Sequence, residues 1–108
     1  MNTYNRSEIF KLAWQMVREN GFNMKLALHT SWDNFKLKVA MKTKIVKFRY
    51  QKIDGSIREA FGTTDRSRYE YQPTGNGHAL PSDCVRYWDS QKKGFRVFKT
   101  YNLLSVEF

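Results

Sequence analysis

The chain has 108 residues, enough for a single domain, and is 41% hydrophobic and 16% aromatic, which excludes a wholly disordered polymer. Nineteen Lys and Arg against ten Asp and Glu give a net charge of +9, a balance that favours polyanionic partners. No apolar run approaches the roughly 20 residues of a membrane span, the first residues are polar, and the single cysteine, Cys84, suits a reducing compartment, so a cytoplasmic protein is expected.

The first element is a helix with Ser7 as N-cap, its hydroxyl available to a first-turn N–H. Ile9, Ala13, Met16 and Val17 share one helical face, widened by Phe10 and Trp14, and Asn20-Gly21 ends the segment. Asn23 caps a second helix, in which Leu28, Trp32 and Phe35 form the apolar face while Ala27 and Ser31 permit close helix approach. The short link Gly21-Phe22 folds the two back as an αα-hairpin over residues 1–38, with Trp14, Trp32 and Phe35 expected in the core or docked on the C-terminal half of the chain.

From residue 42 the period drops from 3.6 to 2. Val46, Phe48 and Tyr50 alternate with Lys47, Arg49 and Gln51, a strand with one apolar and one cationic face. Asp54-Gly55 predicts a type I′ hairpin turn, and residues 56–62 return as a second strand. Residues 63–82, with Pro73, Gly75-Asn76-Gly77 and Pro81, read as a long loop. Residues 85–89 and 95–99 make two more strands, residues 101–104 a 3₁₀ turn, and residues 105–108 a fifth strand. Phe48, Tyr50, Phe98 and Val106 are the expected core. Five short strands with a one-turn helix before the last is the connectivity of small Src-homology-3-like and Sm-like barrels. The predicted class is therefore α+β: an N-terminal αα-hairpin followed by a five-stranded small β-barrel over residues 42–108.

The stretch from Val46 to Thr63, with Tyr87-Trp88-Asp89, Gly94-Phe95-Arg96-Val97-Phe98 and Leu103-Leu104-Ser105-Val106-Glu107, resembles the WYL-like, Sm-like small β-barrel family of gut bacteria and their phages. Residues 7–14, with Ala27-Leu28 and Ser31-Trp32, are similar to a helical leader on many phage-encoded proteins. The resemblance implies a barrel of the WYL group, associated with binding nucleic acids or nucleotide ligands and with regulation. The Trp-Tyr-Leu triplet of that group is absent as a contiguous signature. Tyr87-Trp88 echoes only part of it, so no ligand-contact residue carries over.

No catalytic or metal constellation emerges. His29 and His78 have no adjacent carboxylate or cysteine at ligand spacing, Cys84 has no CxxC partner and reads as a buried structural thiol, and Gly75-Asn76-Gly77 lacks the strand, helix and Gly-Lys-Ser/Thr of a phosphate loop. A non-enzyme without cofactor or metal is expected. Binding has more support, because fifteen of the cations lie in residues 36–108 and seven fall in residues 36–52 with no acid between them. Lys47 and Arg49 repeat about 7 Å apart on one strand face, extended by Lys44 and Lys52, and can follow a phosphate backbone. Arg66, Arg68 and Tyr69 add phosphate and base-stacking groups from the loop, and Trp88 can face a ligand. The expected function is nucleic-acid binding by a non-enzymatic accessory or regulatory protein of phage or mobile-element origin. The alternatives are a module that engages an acidic host protein and a binder of a small nucleotide signal.

Overall fold

The computed structural model describes residues 6–69, 80–81 and 83–108. Helices α1 (Arg6–Asn20) and α2 (Met24–Met41) precede strands β1 (Val46–Gln51) and β2 (Ile57–Thr63), a 3₁₀ turn η1 (Arg66–Arg68), strands β3 (Cys84–Asp89) and β4 (Gly94–Lys99), a second 3₁₀ turn η2 (Thr100–Asn102), and β5 (Leu103–Glu107). All pairings are antiparallel in the order β4-β3-β2-β1-β5, so the last strand returns beside the first and the sheet curls around one core. The expected α+β architecture is the one observed.

The helical hairpin turns where the sequence directs it. Gly21 takes a left-handed φ of 72°, and the Asn23 side chain accepts the Leu26 N–H at 2.8 Å. Ser7, however, lies inside the first turn of α1, which already includes Arg6. The apolar faces also differ from expectation. The seam between the helices is built from small groups: Ala13, Met16, Ala27 and Ser31 are buried, with the Ser31 hydroxyl 3.7 Å from the Met16 sulfur. Phe10 and Trp14 stay 48% and 50% exposed, and Trp32 is also exposed, because α2 turns Ala27, Ser31 and Asn34 inward instead of the Leu28-Trp32-Phe35 stripe.

The second half of α2 belongs to the barrel. The helix runs past residue 38 to Met41, and Leu37 and Met41 are fully buried among Val46, Phe48, Tyr50, Ala60, Val85, Tyr87, Phe98 and Leu103. Each such aliphatic side chain contributes about 1.5–3 kcal/mol through burial. Asn34 ties the same helix to η2, its Nδ2 donating to the Thr30 and Thr100 carbonyls at 2.8 Å each. Phe48 meets Tyr87 edge-on at 5.0 Å, and Tyr50 stacks on Phe98 at 5.0 Å. Gly62 makes this packing possible: a Cβ there would lie 2.6 Å from Tyr87 Cδ2 and 2.9 Å from Phe48 Cε1. Phe48, Tyr50 and Phe98 are core residues as expected, while Val106 is partly buried.

Two local expectations change. The β1–β2 turn is not type I′, since Asp54 keeps a negative φ and only Gly55 is left-handed, at 91°. Gly55 N–H donates to the Lys52 carbonyl at 2.9 Å and Lys52 N–H to that of Ser56 at 2.7 Å, a three-residue loop ending in glycine. The Asp54 carboxylate, accepting from Ser56 N–H and Oγ, removes the need for a second positive φ. At the other end, η2 occupies Thr100–Asn102 and β5 starts at Leu103. The β1–β5 register shifts between Arg49↔Ser105 and Tyr50↔Leu103, a bulge that buries Leu103 and turns Leu104 outward.

Candidate nucleic-acid interface

The cations singled out in the sequence fall into separate environments, and register decides which. On the outer face of β1, Arg49 pairs with Glu59 of β2 and Lys47 with Glu107 of β5 as direct cross-strand neighbours. Arg49 Nη2 and Nε reach Glu59 Oε2 at 3.0 and 3.2 Å, while Lys47 Nζ lies 3.7 Å from Glu59 and 3.6 Å from Glu107. The Arg49 guanidinium, with Lys47 beside it, holds the Glu59 carboxyl below the usual carboxylate range. Two cations thus face two carboxylates, and the sheet surface expected to be a cationic row is a charge-balanced ladder. Lys52, beyond the strand, lies 3.9 Å from Asp54.

A second group gathers where α2 ends. The Met41 carbonyl accepts from Thr64 N–H and Thr63 Oγ1, both at 2.9 Å, which pins the end of β2 against the helix terminus. Arg68 Nη2 donates to the Thr43 carbonyl at 2.9 Å and brings η1 to the same corner. Asp65 organises η1, accepting from Ser67 N–H at 3.1 Å, Ser67 Oγ at 2.7 Å and Arg68 Nε at 3.2 Å. The Ser67 hydroxyl and N–H, then Arg68, keep its carboxyl below the ordinary range. Exposed Lys42, Lys44, Arg66 and Arg68 therefore share one shoulder, with Lys38 one turn back on the same side of α2. Among the described residues, Asp65 is a carboxylate bound within this group, to Arg68 at 3.2 Å. Cations there also suit the partial negative charge of a helix C-terminus.

Beside the shoulder, Tyr69 stacks on Trp88 at 4.6 Å and 11°, with Phe95 edge-on to both rings at 5.6 and 5.3 Å. Trp88 thus receives the aromatic face of Tyr69. Of the seven expected contact residues, Lys44, Arg66, Arg68 and Tyr69 come together, whereas Lys47, Arg49 and Lys52 stand apart on the ladder and at the far end of β1. Lys38 and Lys42 join the group without having been expected there. Their i,i+4 spacing near a helix end is the sequence signal that marks them.

The barrel interior carries its own polar end. Arg58 Nη2 meets Asp89 Oδ2 at 2.8 Å, and Asp89 Oδ1 accepts from Gln91 and Lys92 N–H at 3.0 Å each, with Asp89 only 2% exposed. Burial pushes the Asp89 carboxyl up, but Arg58 and the two N–H groups outweigh it and leave it below its ordinary value. Tyr50 and Tyr87 share a hydroxyl–hydroxyl bond of 2.8 Å, and burial followed by that bond pushes the Tyr87 phenol up.

A family model described as WYL_2, Sm-like SH3 beta-barrel fold, matches residues 34–104. The chain belongs to that family. No curated protein and no solved structure matches it. The WYL_2 match begins inside α2, at the Asn34 that ties helix to barrel, and membership suggests a regulatory or ligand-binding role. Among the described residues, no group of three or more His, Cys, Asp and Glu is placed to hold a metal ion, and no helix is long and apolar enough to cross a membrane. His29 is exposed, with Asp33 one turn on at 3.6 Å, a carboxylate neighbour that was not expected from the sequence. Cys84 is half-buried at the start of β3, its Sγ 3.5 Å from Asp83 Oδ1, where a buried thiol was expected. His78 and Gly75-Asn76-Gly77 lie outside the described residues.

Proposed function

We propose that this WYL_2 protein is a non-enzymatic regulatory module that binds nucleic acid through the shoulder formed by Lys38, Lys42, Lys44, Arg66 and Arg68. The observation that carries this reading is the Arg68–Thr43 bond, which draws the η1 cations onto the lysine-rich end of α2. Exposed cations on a rigid corner neutralise phosphates and release counterions, and each contact contributes about −0.9 to the slope of log affinity against log salt for duplex DNA. The nearby Tyr69 and Trp88 rings supply apolar surface for unpaired bases.

Fluorescence anisotropy with mixed-sequence single- and double-stranded oligonucleotides tests it. Binding at low salt that weakens steeply with added salt is expected. No binding even in dilute buffer removes the reading. The exposed Phe10 and Trp14 of α1 support a second one, a module for an acidic protein partner. Capture of a partner that persists after nuclease treatment and is lost in Phe10→Ser/Trp14→Ser favours that alternative.

A further inference from the structure

The two helices repeat one pattern. Phe10, Trp14 and Val17 stand at steps of four and three along α1, and Leu28, Trp32 and Phe35 at the same steps along α2. That spacing draws an apolar stripe down a helix, of the kind that packs against another helix. The seam between α1 and α2 is taken by Ala13, Met16, Ala27 and Ser31, and the large rings reach solvent. About half of Phe10 and of Trp14 is exposed, and more than a third of Trp32.

Phe10 borders two hollows. Ile9, Leu28 and Trp32, with Arg6 and His29, complete one of about 530 Å³. Trp14, Ser31, Asn34 and Phe35 line part of the other, of about 990 Å³. Each has room for an aromatic ring, so one face of the hairpin carries both a projecting ring and a place to receive it. Such a surface is self-complementary: where a residue of one copy meets a different residue of the next, the reverse contact forms as well.

The charges favour a copy over the acidic partner of the second reading above. Glu8 and Glu19 border the larger hollow together with Lys11, Arg18 and Lys38, so an acidic surface would meet carboxylates as well as cations. A copy brings the same mixture, and a two-fold that reverses α1 lets acids of one chain lie near cations of the other. Residues 1–35 hold four cations against three acids, while residues 36–108 hold fifteen against seven. The hairpin is where two strongly basic chains meet with least repulsion.

We propose that this face of the hairpin binds a second copy of the chain. The two hairpins form a four-helix bundle about a two-fold axis, with Phe10 of each copy seated in a hollow of the other. The pair then carries two cationic shoulders and is bivalent toward any strand they bind.

Sedimentation equilibrium of the nuclease-treated protein over about 1–300 µM tests this. A mass rising from monomer to dimer is expected. Because each chain carries +9, the dimer is expected to tighten as added salt screens the repulsion, whereas an acidic partner would be released. Phe10→Ser/Trp14→Ser, at two exposed positions, is expected to weaken the dimer about tenfold or more with little change in melting temperature. Leu104→Ser, an equally exposed apolar site on β5, is expected to leave it unchanged. A monomer across the whole range, a dimer that loosens with salt, one that survives Phe10→Ser/Trp14→Ser, or one lost in Leu104→Ser overturns the proposal. A chain that stays monomeric and captures an acidic protein through the same rings also overturns it and gives the face to that partner. The mass measurements involve no oligonucleotide, so their outcome is independent of what the shoulder binds.

Discussion

The outer face of β1 and the shoulder at the end of α2 carry the same kinds of cation and are adjacent in sequence, yet their electrostatics differ. Lys47 and Arg49 sit in a sheet, where antiparallel register sets a specific residue opposite each of them, and those residues are Glu59 and Glu107. Lys42, Lys44 and Arg66 sit outside any ladder, in segments where no register delivers a carboxylate. An alternating cationic strand is therefore a weak sign of a binding surface until the neighbouring strands are paired with it. A cationic helix end is a stronger one, because what approaches it is fixed by capping bonds such as Arg68–Thr43.

The sharpest break of this contrast uses the most tightly paired cation. Arg58–Asp89 is the inner-face counterpart of the ladder, and Asp89→Ala is expected to cost about 3–5 kcal/mol by leaving a largely buried guanidinium unpaired. Chemical denaturation measures it. Because Asp89 is held below its unfolded value, its contribution is present at neutral pH and is lost as pH falls below about 4 through its folded value. Melting temperature should decline there in the parent protein and less so in Asp89→Asn.

Reversing the shoulder by Lys42→Glu/Lys44→Glu/Arg66→Glu is expected to weaken oligonucleotide binding by about a hundredfold, roughly 2.7 kcal/mol, and to flatten its salt dependence. The matching reversal on the ladder, Lys47→Glu/Arg49→Glu, is expected to change affinity by less than threefold, although the sequence alone points to that face. Equal losses from both variants would erase the distinction. A smaller structural effect tests the barrel that holds both surfaces: Gly62→Ala should lose about 1–3 kcal/mol, since its methyl must displace Tyr87 or Phe48. The smallest effect is expected from Glu59→Gln/Glu107→Gln, which frees Lys47 and Arg49. A slight gain in affinity at low salt with little change in melting temperature is the predicted readout.

Periodicity made the element order legible. The change from a 3.6 to a 2 repeat, Asn23, Gly21 and Gly55 locate the helix starts and the first two strands to within a residue or two, while α2 runs three residues past its expected end at 38. What pattern reading missed were features set by contacts distant in the chain. Trp14 and Trp32 have the spacing of core residues, but the hairpin seam selects small side chains, since Ala27 and Ser31 let α1 approach closely. The bulge that turns Leu104 outward depends on β5 meeting β1, and the neutralisation of Lys47 and Arg49 depends on two other strands. The site residues near η1 are identifiable by type, while their grouping with Lys38 and Lys42 needs the bond from Arg68 to Thr43.

The junction at Met41 has a practical consequence for anyone who would dissect this molecule. Its carbonyl receives Thr63 and Thr64, and the same helix sends Leu37 into the barrel and Asn34 to Thr100. Scissors placed between hairpin and sheet, at residues 38–42, would sever shared masonry instead of parting two blocks. A minimal stand-alone barrel has to keep the last two turns of α2, and a transplanted hairpin would carry away part of its host's wall.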